Sequence, residues 1–353
     1  MSKAAICVVV PVYKAMATLD RCVESVLAQQ VEGGLTCILV DDGSPDESGA
    51  LCDAWATKDD RVTVIHQDDL GVSGARNSGL AAADSEFIVF LDSDDALRPG
   101  ALQAALTAQR AAPQDFVVWH YTTDEKDPAA VTADAEPRTQ AGLARLWLDC
   151  LLAMPWNKLY RADLAKQLQF DVQYTLGEDL QFVLDYIALL GQTVPEFGYR
   201  VMTSSLTFYD CSRGGTLSTR YHANYCDIWP KHFAKLNAAC HAAACPAEDM
   251  RPLHRAELQV FAEGVADIMR RDPSPTQRLK GYKAEAALRS PWLRALLERM
   301  KIEHCYSAYY LPCRWRNVGL VCRVDEARRT NAPLYGKLDW AGYYLLLGRM
   351  RRD

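Results

Sequence analysis

Residues 4 to 13, Ala-Ala-Ile-Cys-Val-Val-Val-Pro-Val-Tyr, form an apolar run of strand length without alternation. A strand with one solvated face alternates, so this run predicts a parallel strand covered on both sides by helices. The following residues supply them. Leu19, Cys22, Val23, Val26 and Leu27 recur at helical spacing behind Thr18, a predicted N-cap. Cys37-Ile-Leu-Val starts a second strand that ends in Asp41-Asp42-Gly43-Ser44, and Ser44-Pro45-Asp46-Glu47 reads as a capping box with proline at the first helical position. Val62 to Ile65 is a third strand, Gly71 to Leu80 a glycine-rich helix opening, and Phe87 to Leu91 a fourth strand closed by Asp92-Ser93-Asp94-Asp95. A helix from Pro99 to about Ala112 and a strand from Phe116 to Tyr121 continue the alternation. The expected fold class is α/β, an open mixed and mostly parallel sheet with helices on both faces.

With 353 residues, the chain exceeds the roughly 250 to 300 at which a single core stops growing. Thr122 to Thr139 is acidic and proline-punctuated and reads as an exposed loop. A helix is expected from about Gly142 to Ala153, a short one up to Leu168, and another opening at Gly177-Glu178-Asp179; strands are expected over 198–209 and a loop over 213–218. Strand signals thin out beyond about residue 220, so the expected division is a catalytic-type domain over 1–220 and a helical region over 221–353.

A formal net charge of −6 gives no support for a nucleic-acid surface. The start lacks the ordered basic, apolar and cleavage segments of a secretory signal, and no apolar run approaches the ~20 residues of a membrane span, so a cytoplasmic location is expected. The twelve cysteines are scattered without a C-x-x-C pair. Cys7, Cys22, Cys37 and Cys52 fall in apolar patterns and are expected as buried free thiols, and Cys240, His241, Cys245 and His254 as helix packing, not a zinc site.

The acids fall at the carboxyl ends of strands, where open parallel sheets bind ligands. Asp92 and Asp94, two apart where a strand becomes a turn, can turn oxygens toward one point, as a hard cation bridging phosphates requires. Asp41 and Asp42 can accept from a base or ribose. Together these describe a nucleotide-diphosphate pocket. Gly71-x-x-Gly74 is not G-x-G-x-x-G and follows the third strand, which disfavours a dinucleotide-binding dehydrogenase.

Val10-Pro11-Val12-Tyr13, Val40-Asp41-Asp42-Gly43-Ser44, Gly71-x-x-Gly74-Ala-Arg76-Asn77-x-Gly79 and Leu91-Asp92-Ser93-Asp94-Asp95, in this order, resemble the family 2 glycosyltransferases with the GT-A fold. Trp156-Asn-Lys-Leu-Tyr160, Gly177-Glu178-Asp179 and Arg213-Gly-Gly-Thr-Leu-Ser218 resemble later family segments, carrying the likeness to about residue 220. The resemblance implies an inverting, metal-dependent transfer from a nucleotide sugar, most often UDP-linked, to a glycan or lipid-linked glycan of the cell surface. It implies that Pro11, Val12 and Tyr13 line the nucleotide, that Asp41 and Asp42 contact base or ribose, and that Arg76, Ser93 and Arg213 serve the donor. It further implies that Asp92 and Asp94 hold Mn2+ or Mg2+, with Asp94 the more direct ligand, and that Asp179 is the base.

Each residue has a plainer reading. Asp41 also suits a satisfied turn acid, Glu178 and Asp179 a helix N-terminus stabilised by the macrodipole, Arg76 a pair with a surface acid, and Arg213 an exposed loop. Trp156 and Lys158 are assigned to packing and local structure. A nucleotidyltransferase shares the sheet and acids, but Pro11-Val-Tyr-Lys-Ala lacks its glycine- and basic-rich first loop; a non-catalytic sugar- or nucleotide-binding protein shares the fold. Towards the C-terminus Arg314-Trp315-Arg316, Arg323, Arg328, Arg329 and the stretch Trp340 to Leu347 with Arg349, Arg351 and Arg352 set basic groups beside apolar ones. That pattern suits peripheral contact with an anionic bilayer, on the inner face of the cell membrane, and equally suits a helix docked on the catalytic domain.

Overall fold

The computed structural model describes residues 3–174, 176–212 and 220–350, except for the side chains of 342–350. It divides into two compact units, Met1–Gly214 and Gly215–Asp353.

The first unit alternates as its apolar runs require: β1 Ala4–Val12, α1 Leu19–Leu27, β2 Leu35–Asp42, α2 Ser48–Lys58, β3 Val62–Gln67, α3 Gly71–Ala82 and β4 Ser85–Phe90. Then follow β5 Ala96–Leu97, α4 Ala101–Ala111, β6 Phe116–Thr122, β7 Ala135–Thr139, a 3-10 turn, α5 Leu143–Leu148, β8 Lys158–Arg161, α6 Ala162–Ala165, α7 Glu178–Thr193 and β9 Gly198–Phe208. The strands make one nine-stranded sheet in the order β3-β2-β1-β4-β8-β6-β9-β5, with β7 on β9. β3, β2, β1 and β4 run parallel, while β8 runs antiparallel to both β4 and β6. The sheet is therefore mixed, and a helical C-terminal part follows it in the chain. Val8, Val10 and Val12 point from β1 into a core shared with Leu19, Val23 and Val26 of α1 and Trp55 of α2. Val9 points the other way, towards Gly79 of α3. Both faces of β1 are covered, which is why the run does not alternate.

Four local expectations change. Helix α2 begins at Ser48, not behind Ser44: the Ser44 amide donates to Asp41 Oδ1 (3.2 Å), and the Ser44 hydroxyl accepts from the Lys14 amide (3.3 Å), so neither is left for a capping box. Thr18 precedes α1 without a side-chain cap. The segment 122–139 is not all loop, because Ala135–Thr139 is an edge strand on β9. The helix expected to Ala153 stops at Leu148, and Cys150 turns the chain at a φ of 57°.

The second unit is helical: α8 Tyr225–Ala242, α9 Ala247–Arg271, α10 Gln277–Leu288, α11 Pro291–Ile302, α12 Tyr310–Arg314, α13 Val318–Thr330 and α14 Ala332–Met350. Helix α9 packs against α8, α10, α11 and α13. Its Leu258, Phe261 and Val265 share a core with Leu293, Leu296 and Met300 of α11 and with Tyr306, Tyr309 and Tyr310. All twelve cysteines are free thiols, and Cys7, Cys22, Cys37 and Cys52 are buried. Cys240 is buried on α8, whereas His254 turns to Glu303 and Asn237, and ligand atoms of His254, Glu303 and Cys305 lie within 4.8 Å of one another. Among the described residues no helix is long and apolar enough to cross a membrane.

Candidate active site

Strand β1 pairs with β4 only as far as Val9↔Phe90, while its pairing with β2 continues to Val12↔Asp41. Beyond Val9 the sheet opens on one side of β1. Pro11 falls in this stretch, past the last pair with β4, where its missing amide hydrogen leaves no gap in that ladder. Because β2, β1 and β4 are parallel, their carboxyl ends lie on one edge, and the acids that close β2 and those after β4 stand two strand spacings apart, roughly 10 Å. The sheet edge thus offers two acidic groups flanking the end of β1.

Asp41 and Asp42 form the first group. Asp41 accepts from the Ser44 amide and meets His66 Nδ1 at 3.0 Å, while His66 Nε2 lies 2.9 Å from Asp53. Burial raises the Asp41 pKa, but the hydrogen bonds from Ser44 and His66 outweigh it and hold the group below the usual carboxylate range. His66 is raised by its bonds to Asp53 and Asp41. Asp42 is buried, and its Oδ1 accepts from Gln67 Nε2 (2.7 Å) and the Leu70 amide (2.9 Å), tying the end of β2 to the loop before α3. Tyr13 projects into solvent with 44% of its surface open, whereas Val12 is fully buried in the core. Val12 can therefore offer a ligand only its backbone.

The second group is held by one arginine. Arg76 on α3 is 3% exposed; its Nη1 donates to Asp179 Oδ1 (2.6 Å) and its Nη2 to Asp92 Oδ1 (2.8 Å). Asp92 lies just past β4 and Asp179 in the first turn of α7, so a single guanidinium joins the strand end to the helix start. The neighbouring side chains fix this reach. Asn77 donates to the Phe170 carbonyl and accepts from its amide, both at 2.8 Å. Phe170 stacks on Phe182 of α7 at 3.9 Å between ring centroids, and the Arg76 guanidinium lies 5.4 Å from the Phe170 ring. Gly177 opens α7 at a φ of 77°, a backbone that side chains other than glycine rarely adopt. Burial pushes Asp179 up to about 7, against the downward pull of Arg76, and Glu178 and Asp92 add to the rise.

The turn at 92–95 is braced from α1 and from the segment after β9. Arg21 donates to the Asp94 carbonyl (2.5 Å) and to Asp210 Oδ2 (2.6 Å), and the Asp210 amide donates to Asp95 Oδ1 (3.0 Å). Asp95 is fully buried, and its Oδ2 has no hydrogen-bond partner among the described residues. Burial, then the charge of Asp92, raises it to about 9. Ser93 and Asp94 stay partly exposed at the tip of the turn. Lys158 is fully buried, and its Nζ donates to the Leu151 and Met154 carbonyls and to Asn157 Oδ1, so it closes the 151–157 turn.

Asp92, Asp94, Asp95 and Asp179 thus share one electrostatic neighbourhood, while Asp41 and Asp42 sit at the other end of the open edge. Arg213 lies outside the described residues. Arg76, expected on the nucleotide side, has both terminal nitrogens on carboxylates. Sequence reasoning named neither Arg21 and Asp210 as braces nor Asp95 as a buried acid. The third acid of the Asp92-Ser-Asp94-Asp95 run was a signal for the last, but nothing local marked the other two.

The sequence profile described as glycosyl transferase family 2 matches residues 7–169. Glycosyltransferase GlyG of Streptococcus pneumoniae is 39% identical over 124 residues, 35% of this chain and 41% of GlyG. The uncharacterised glycosyltransferase YibD of Escherichia coli is 31% identical over 236 residues, 63% of this chain and 68% of YibD. The chain spans about half the length of the first relatives it matches. Among solved structures, S. aureus TarS 1–349 in complex with UDP-GlcNAc shares the fold at a TM-score of 0.60 with 17% identity, over 92% of this chain and 91% of that one.

Proposed function

Since the chain belongs to glycosyl transferase family 2, we propose that it moves a sugar from a nucleotide sugar, UDP-linked as in the TarS complex, to a glycan or lipid-linked glycan acceptor in cell-surface polysaccharide assembly, at the cytoplasmic side. The observation that carries this reading is the pair of hydrogen bonds from Arg76, which bind the acid beyond β4 to the acid opening α7. A donor-side carboxylate and a candidate base are held against one another at the open end of the sheet.

In this reading Asp41 and Asp42, the backbone at Pro11 and Val12, and Tyr13 receive the nucleoside, and Asp92, Ser93 and Asp94 face its diphosphate. Arg213 serves the same donor. The donor set suits a hard divalent cation: its ligands are all oxygen, carboxylates outnumber guanidinium groups, and buried Asp95 keeps an unpartnered oxygen. Asp94 and Asp92 would hold Mn2+ or Mg2+, which when bound neutralises charge gathering on the departing diphosphate. Asp179 takes the proton of the acceptor hydroxyl as that oxygen bonds to the anomeric carbon and the carbon's bond to the diphosphate breaks, a single displacement that inverts the centre. Raised towards neutrality, Asp179 is a stronger base than an ordinary carboxylate and still largely ionised in mildly alkaline solution. Arg76 positions that carboxylate and limits its rise.

The test is product analysis. Protein with Mn2+ and a panel of UDP-, GDP- and dTDP-sugars, with and without an acceptor glycan, should release nucleoside diphosphate, and Asp94→Ala should abolish metal-dependent release. Release of pyrophosphate would assign the site to nucleotidyl transfer. Donor binding without release across a broad acceptor panel would assign it to sugar or nucleotide binding alone.

A further inference from the structure

The second unit carries a feature that the sugar-transfer reading does not use. Arg289 after α10, Arg294 on α11, Arg314 at the end of α12 and Arg316 beyond it line a hollow of about 250 Å3 with a floor that includes Leu293 and Leu297. The acid in its lining, Glu298, is 3.2 Å from Arg314. Arg289 has an exposed partner in Glu285 at 3.5 Å. Arg294 and Arg316 have no ion pair among the described residues. In a chain of formal net charge −6 such a concentration of guanidinium groups is local, not a consequence of composition. Arg328, farther towards the C-terminus, is engaged by contrast: it pairs with Glu263 at 2.9 Å and Asp325 at 3.4 Å.

Guanidinium groups present paired donors that match phosphate oxygens, and several around one hollow suit an anion with more than one oxygen face. Leu293 and Leu297 beneath them are buried in the helical core, so the hollow itself presents chiefly guanidinium groups. Trp315, between Arg314 and Arg316, leaves 63% of its surface open, as an indole does where it meets a membrane interface. We propose that this hollow binds the phosphate of an amphiphilic phosphate ester, with the headgroup oxygens on Arg294 and Arg316 and the apolar portion beside the exposed Trp315. The site is separate from the acids of the first unit and does not depend on the chemistry proposed for them.

The experiment is sedimentation of the full chain with phosphatidylcholine vesicles, alone and mixed with phosphatidylglycerol. The wild type should pellet with the mixed vesicles and stay in solution with phosphatidylcholine alone. The double variant Arg294→Ala/Arg316→Ala should lose roughly thirty-fold in partition, the effect of two basic residues at an anionic surface. Arg323→Ala/Arg329→Ala removes the same charge from exposed positions of α13 and should keep the wild-type partition. Inorganic pyrophosphate added to the mixed vesicles separates two sources of the same chemistry: release of the wild type means that a free phosphate suffices, and retention means that a lipid-borne one is required, either result supporting the site. Failure to pellet with either vesicle, or equal weakening by the two double variants, would overturn the proposal, the second because it would assign attraction to diffuse charge.

Discussion

Arg76 divides one guanidinium between two carboxylates that stand 16 and 103 residues away in the chain. Burial, the largest influence, raises Asp179 to about 7, and Arg76 opposes it. A base works in its deprotonated form, so kcat/KM should climb with pH through the neutral region and level off above it. Replacing Arg76 by methionine removes the opposing charge and should move that limb to higher pH by roughly one to three units. Asp179→Asn should lower turnover by about 10^2 to 10^4-fold and leave donor affinity in place. Both are read from pH profiles of initial rate beside donor titrations. A limb that stays put in Arg76→Met, or near-normal turnover in Asp179→Asn, would place the base elsewhere. At this scale the acids were legible because each ends an apolar run, whereas the partnership of Arg76 was not. Nothing in a sequence of this kind records that a helix residue reaches both a strand end and a helix start far along the chain.

Helix α3 connects the two acidic groups: the loop before it is tied to Asp42, Arg76 reaches Asp92 and Asp179, and Asn77 holds the segment leading to α7. Its seat on the sheet depends on Gly79, where an added Cβ would stand 2.3 Å from Val9 Cγ1 and 3.3 Å from Val40 Cγ2. Gly79→Ala must push α3 off β1 and β2, and overpacking of this kind costs about 1 to 3 kcal/mol. Since Arg76 rides on the same helix, the variant should lose turnover as well as stability, which thermal unfolding and initial rates measure together; wild-type rates at a lowered melting temperature would detach α3 from the site. Elements with continuous apolar runs were readable, because burial on both faces leaves an unmistakable pattern in β1, β2 and β4. Edge strand β7 was not, for Ala135–Thr139 is largely exposed and contains Pro137, a residue that weakens the signal for a strand. The start of α2 was misplaced for a related reason. Ser44 has the composition of a cap, yet its hydrogen bonds belong to Asp41 and Lys14, and a local motif cannot show a tertiary competitor.

Across the whole chain, a formal net charge of −6 averages an acidic sheet edge in one unit with a basic hollow in the other, so the total describes neither. On the proposed reading the acidic edge would receive cation and anion together. Without a ligand, burial and then the charges of Asp92 and Asp94 hold Asp95 in its protonated form near neutrality, so a divalent cation would offset the negative charge gathered there and give a diphosphate a partner it would otherwise lack. A ligand that binds only the folded state adds stability of about 2.7 kcal/mol when present at a hundredfold over its Kd. For a cooperative unit of this size that is a rise of roughly 5 to 10 °C in melting temperature. Mn2+ and UDP together should therefore raise the thermal transition by more than the sum of their separate effects, EDTA should cancel the excess, and Asp94→Ala should not show it. Additive shifts in the wild type would mean that cation and diphosphate do not share the acids beyond β4, whatever each does alone.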